Sequence, residues 1–185
     1  MGGRTRILLV DDRTANLVAL EAILAPLNQV IVATRSGKQA LAELATQDFA
    51  VVLLDIMMPG MDGFETADRI RRGTRNADVP IIFLSAASTR LDFSFRGYSA
   101  GAVDYLAKPF DPWVLTAKVA VFVSLYLKYA ERTEELSAHV AAVSEAATAL
   151  AAIPSASNDP ETADALARLL RRIGKLRTAL GPDPD

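Results

Sequence analysis

The chain has 185 residues, no cysteine, one histidine and a formal charge of -2, from 20 Lys and Arg against 22 Asp and Glu. That length allows one core plus an extension, and 51% hydrophobic residues is too many for intrinsic disorder. Without cysteine there are no disulfides, thiolate metal sites or cysteine nucleophiles, and His139 alone cannot make a histidine metal cluster and gives poor support for a Ser/His/Asp triad.

The longest apolar runs, such as Phe49 to Leu54, fall far short of the ~18 residues of a membrane span. Asp11 and Asp12 follow the first run, Ile7 to Val10, too closely for a secretory leader, so a cytoplasmic chain with no membrane partner is expected. Up to residue 110, short apolar runs alternate with stretches of helical period, the pattern of βα units around a parallel sheet. The expected strands are Arg6 to Val10, Val30 to Ala33, Ala50 to Leu54, Pro80 to Leu84 and Val103 to Leu106. Three are nearly continuous Val, Ile and Leu, as befits a sheet covered on both faces. Helices are expected at 14–25 (ended by Pro26), 37–46, 63–72 and 89–100, the last with its period blurred by Gly97 and the run Phe93 to Tyr98.

Asp111 can cap a helix that carries Pro112 in its first turn. No further proline or glycine appears before Pro154, so a single helix of roughly 65 Å is expected, too long for one small domain to bury. Leu115, Val119, Phe122, Tyr126, Tyr129, Thr133, Leu136, Val140, Val143, Ala147 and Leu150 recur at heptad spacing along it, the seam of a coiled coil. Val123, Leu125 and Leu127 widen the apolar surface before residue 128, which points to packing on the sheet domain or in a broad interface there. Residues 154–160 (PSASNDP) read as a linker. A last amphipathic helix follows, with Leu166, Leu169, Ile173, Leu176 and Leu180 in rhythm up to Gly181 and Pro182. Being marginal alone, it must pack on the coil, a second copy or another protein. The expected divisions are 1–126 for the sheet domain, 127–153 for the coil, 154–160 for the linker and 161–181 for the basic helix.

Charge is segregated along the chain. Residues 1–128 are close to neutral, the coil is acidic, and the last helix concentrates Arg168, Arg171, Arg172, Lys175 and Arg177. Five bases on one short apolar-faced helix in a chain of pI about 5.5 make a weak nucleic-acid footprint, so DNA binding is not expected.

Asp11 and Asp12 follow strand one, Asp55 ends strand three, Ser85 ends strand four and Lys108 ends strand five. Ligands of open parallel sheets bind at the carboxyl ends of the strands, where all five residues fall. Three converging carboxylates repel one another unless a hard cation joins them, and oxygen ligands suit Mg²⁺. A hydroxyl and an ammonium on adjacent strands provide the hydrogen bond and positive charge that a phosphoryl group needs.

The segments ILLVDD (7–12), VVLLDIMMPGMDGFE (51–65), IIFLSA (81–86) and VDYLAKPF (103–110) come in order and at suitable spacing, and over roughly residues 4–126 the chain resembles the receiver domain of two-component response regulators. The resemblance implies a doubly wound five-stranded parallel sheet of order 2-1-3-4-5, here with a long C-terminal helix. It implies Asp55 as phosphoacceptor for a histidine kinase, and Asp11, Asp12, Asp55 and the Met57 carbonyl as Mg²⁺ ligands. It also implies Ser85 and Lys108 as phosphoryl-binding groups, a cis peptide to Pro109, and Tyr105 as a switch moving with Ser85. Met57 and Ala87 stand where the family tunes dephosphorylation, and neither can orient a water, so slow phosphate loss is expected. The 23-residue step from Ser85 to Lys108 leaves room for one extra residue in a region where many receivers bind partners.

The extension is similar to coils that follow receivers in some hybrid kinases and in stand-alone regulators without a DNA-binding domain, actinobacterial osmotic-stress regulators among them. The expected function is therefore a non-enzymatic phosphorylation switch, a homodimer through its coil, that signals to an unknown downstream protein. The alternatives are the front part of a longer hybrid kinase or enzyme-output regulator, or a phosphate sink or adaptor. A phosphatase would need an aspartate where Met57 stands, and a flavin carrier would need a Ser/Thr-rich loop after strand one.

Overall fold

The computed structural model describes residues 4–73, 75–86, 104–151 and 160–180. They form two compact units, residues 1–127 and 128–185. The expected helix at 89–100, Val103, Ala87, residues 154–159 of the linker, and Gly181 and Pro182 lie outside the described residues.

The first unit is built from β1 (Arg6–Val10), α1 (Thr14–Leu24), a 3-10 turn (Ala25–Leu27), β2 (Val30–Thr34), α2 (Gly37–Thr46), β3 (Val51–Asp55), α3 (Gly63–Arg71), β4 (Ile81–Ala86) and β5 (Asp104–Lys108), followed by the start of α4 (Pro112–Ala151). Pro26 sits inside the 3-10 turn, so α1 stops one residue earlier than the proline alone suggests. All strand pairs are parallel, in the order β2-β1-β3-β4-β5, as the resemblance implies. β4 and β5 each run two residues beyond their expected ends, to Ala86 and Lys108, which are register partners.

Side chains alternate across a strand, and the core follows that period. Leu8, Val10, Val52, Leu54, Ile81 and Phe83 pack on one face with Ala40, Leu44, Ala67 and Ile70 of α2 and α3. Ile7, Leu9, Val51, Leu53, Ile82 and Leu84 pack on the other with Leu17, Leu20 and Leu24 of α1 and with Leu115, Val119 and Val123 of α4. Each fully buried aliphatic side chain contributes roughly 1.5–3 kcal/mol of transfer free energy, which makes these two layers the main source of stability. Helix starts follow local chemistry. Ser36 Oγ accepts from Gln39 N at 3.3 Å, Asp62 Oδ1 from Glu65 N at 2.8 Å and Asp111 Oδ1 from Trp113 N at 2.8 Å.

By length and composition α4 is apolar enough to cross a membrane, unlike the short runs weighed from sequence. Its proximal part has a plainer reason for that composition, because Leu115, Val119 and Val123 are core residues and Phe122, Tyr126 and Leu127 are packed against the same cluster. The heptad seam expected from Leu115 onward is thus committed to the sheet until residue 127, and only its later part is open to another helix.

The second unit holds the rest of α4 and α5 (Pro160–Leu180). Ala147 of α4 and Ile173 of α5 are buried, and Arg177 lines a groove with Ala141, Ser144, Glu145, Thr148 and Ala149, so α5 lies along α4. Of the three supports expected for the last helix, its own chain's α4 provides one. In contrast, Tyr129, Leu136, Val143 and Leu150 of α4 and Leu169 and Leu176 of α5 are exposed.

Candidate active site at the strand ends

β1 and β3 are neighbours, so the residues that end or follow them meet at one edge. Carboxylate oxygens of Asp11, Asp12 and Asp55 lie within 4.8 Å of one another. Asp11 and Asp55 are buried and Asp12 is partly so. Lys108 Nζ, arriving from β5, donates to Asp11 Oδ2 at 2.9 Å and to Asp55 Oδ1 at 2.6 Å. Ser85 is buried on β4 between them in strand order, one residue past Leu84, the register partner of Asp55. The Lys108–Pro109 peptide is cis, as expected. Met57, whose carbonyl was expected to face a cation, carries a side chain 64% exposed to solvent.

One lysine does not neutralise three acids. Burial pushes the Asp55 carboxyl above its ordinary range, and the charges of Asp11 and Asp12 add to this, while the Lys108 hydrogen bond and charge pull the other way. For Lys108, burial is the largest single influence and acts downward, yet the hydrogen bonds to Asp11 and Asp55 outweigh it and its pKa is raised. The pocket therefore holds excess negative charge beside a firmly protonated ammonium. The donors are all carboxylate oxygens, partly open on the Asp12 side, which suits a hard divalent cation with some of its water retained.

Two features were missed by sequence reasoning. Asn16 Nδ2 donates to both Asp11 oxygens at 2.8 Å, and Arg13 N donates to Oδ1 at 3.0 Å, so the first turn of α1 holds the Asp11 carboxylate. The spacing of five from Asp11 to Asn16 was the available signal, since it spans a loop and one helical turn. The other is Gly63: a Cβ there would stand 2.4 Å from the Asp55 carbonyl oxygen, so the glycine permits a close approach of α3 to β3. Gly60, at φ 78°, is the turn glycine proper.

Tyr105 is half-buried on β5 and packs against the cluster containing Phe83, and its hydroxyl is enclosed with no hydrogen-bond partner among the described residues. Phe64 meets Phe83 edge-on at 5.0 Å in the same layer.

Residues 7–120 match the family described as the response regulator receiver domain. The chain belongs to that family. Among curated relatives of this receiver, the uncharacterized transcriptional regulatory protein YrkP of Bacillus subtilis is 38% identical over 130 residues, which cover 70% of the chain and 54% of YrkP. A probable cyclic di-GMP phosphodiesterase of Vibrio cholerae is 40% identical over 113 residues, 61% of the chain and 25% of the relative. The chain thus spans about a quarter to a half of such relatives. The receiver domain of sensor histidine kinase PA1611 from Pseudomonas aeruginosa, solved with a magnesium ion in its active-site cleft, superposes with a TM-score of 0.60 at 30% identity, covering 66% of the chain and 99% of that domain.

Proposed function

We propose that this receiver takes a phosphoryl group on Asp55 from the phosphohistidine of a histidine kinase in the cytoplasm, and relays the change through α4 to a dimeric tail and a downstream protein. The observation that carries the reading is the meeting of three carboxylates within 4.8 Å of one another, with Lys108 joining two of them. Asp11, Asp12, Asp55 and the Met57 carbonyl are the groups that would hold Mg²⁺, which when bound supplies positive charge to the transferring phosphoryl oxygens. The Asp55 oxygen attacks phosphorus as the phosphorus–nitrogen bond to histidine breaks. Lys108 keeps Asp55 ionised and aligned beforehand and can then follow the new phosphoryl oxygens, leaving Asp11 to Asn16. Ser85, one strand over, offers its hydroxyl to another of those oxygens, and Tyr105, on the far side of β4, repacks with it.

In this reading the chain turns over no separate substrate. The acidic α4 segment and the basic α5 offer protein-binding surface more than a DNA-binding one.

Acetyl phosphate with Mg²⁺ should add one phosphate to the wild type and none to Asp55→Ala by intact mass; equal labelling of the two would refute the site. Met57 and Ala87 give water no oriented partner, so phospho-Asp55 should last minutes or longer in a phosphate-release assay. A lifetime of seconds with Mg²⁺ present would sink that part.

A further inference from the structure

The tail's apolar residues fall into two rows on each helix. On α4, Thr133, Val140 and Ala147 form a row that is partly or fully covered, while Tyr129, Leu136, Val143 and Leu150, also seven apart, are exposed. On α5, Leu166, Leu170 and Ile173 are covered and Leu169 and Leu176 are exposed. The nine Cα–Cα steps from Ala151 to Pro160 reach about 32 Å at full stretch, against the roughly 35 Å that a parallel return would require to set Arg177 beside the middle of Ala141–Ala149. The two helices therefore run antiparallel. On both of them the bare row lies three residues on from the covered one, Val140 to Val143 and Ile173 to Leu176, a turn of the same sense about each axis. In an antiparallel pair that sense brings both bare rows to one side of the hairpin.

Resting on the dimer reading above, we propose that this side is the dimer interface, where a second copy of the chain applies its own α4/α5 hairpin to complete a four-helix bundle. Each α4 would then lie between its own α5 and the partner's. Val143, Leu150, Leu169 and Leu176 lie where the two helices overlap, and with Tyr129 and Leu136 further along α4 the six bare side chains expose roughly 600 Å² per copy, against the ~800 Å² per partner of a standard stable interface. Heptad spacing on both helices lets the face meet its own copy, as a two-fold interface demands. At 100° per residue, Glu131, Glu134, Glu135 and Glu145 lie a quarter-turn or more from the bare α4 row, so two copies can approach without setting these carboxylates against one another. A two-stranded coil through α4 alone would instead need both rows, and Ala147 of the covered row is already buried.

The test uses the full chain. Light scattering should report a dimer for the wild type. Leu169→Glu/Leu176→Glu should raise the dissociation constant at least about 100-fold while keeping helix content and Asp55 labelling. Because the chain has no cysteine, Val143→Cys and Leu176→Cys each introduce a single thiol. Oxidising a mixture of the two should link unlike chains, Val143→Cys to Leu176→Cys. Links only between Val143→Cys chains, or a dimer indifferent to the α5 double substitution, would overturn the four-helix arrangement and leave a dimer through α4 standing. A monomeric wild type would remove both.

Discussion

The two halves of α4 share one helix and one apolar rhythm but differ in what covers them. Between Leu115 and Val123 the inward residues are at most 7% exposed, because the sheet supplies Ile7, Leu9, Leu53 and Leu84 against them. Beyond Lys128 the described residues form no strand, Ala147 alone of the α4 rows is fully covered, and Leu136 and Val143 stay half exposed. A heptad pattern therefore states that a helix has something to bury and is silent about the burier. The first half spends its pattern inside the receiver, and the second leaves part of its pattern exposed.

Substitutions matched across the two halves should separate these roles. The largest expected effect is at Val119, fully buried on the sheet, where Val119→Asp leaves an unpaired carboxylate in the core. Its cost should be several kcal/mol, a large share of the ~5–15 kcal/mol that holds a typical domain, and both the urea midpoint and Asp55 labelling should collapse. Val143→Asp should leave the receiver's transition within about 0.5 kcal/mol of wild type. Next in size is the pair Leu115→Ala and Leu136→Ala. The first should cost ~2–5 kcal/mol as a core cavity, and the second should barely move the same transition at concentrations where the chain is monomeric. Equal losses in either pair would mean that the halves are not distinct.

Legibility followed the same division. The sheet was readable because strands buried on both faces are runs such as VVLLD, and Asp11, Asp12, Asp55, Ser85 and Lys108 stood at their ends in an order few folds reproduce. The order of strands came through resemblance, since periodicity alone does not say which strands are neighbours. Asn16 escaped notice because an asparagine in a helix's first turn looks like any exposed polar residue until the fold brings it to Asp11. With that support removed, Asn16→Ala should weaken Mg²⁺ binding about tenfold by titration calorimetry, with the receiver's transition little changed. Unchanged affinity would mean Asp11 is held well enough by Arg13 N alone. The two rows of the tail were hidden for another reason. A seam written as one series of eleven positions does not reveal that in the tail Thr133, Val140 and Ala147 are covered while the positions between them are bare.

The smallest expected effect touches only the receiver and so sharpens the contrast with the tail. Asp55 has its pKa raised in the folded chain by burial and by the charges of Asp11 and Asp12, against the pull of Lys108. An acid raised on folding binds its proton more readily in the native state than in the unfolded one. Stability therefore falls as pH rises from the ordinary carboxylate range through the folded value, and the penalty is complete above it. At neutral pH without divalent cation, Asp55→Asn should melt slightly higher than wild type, because Lys108 keeps its bond to Asp11 while the strained charge is gone. Lowering the pH below the ordinary carboxylate value should close the gap, since wild-type Asp55 is then protonated in both states. A wild type that melts higher at neutral pH would mean that the Lys108 bond outweighs burial. The carboxylate would then be a stabilising partner in an ion pair and not a strained charge.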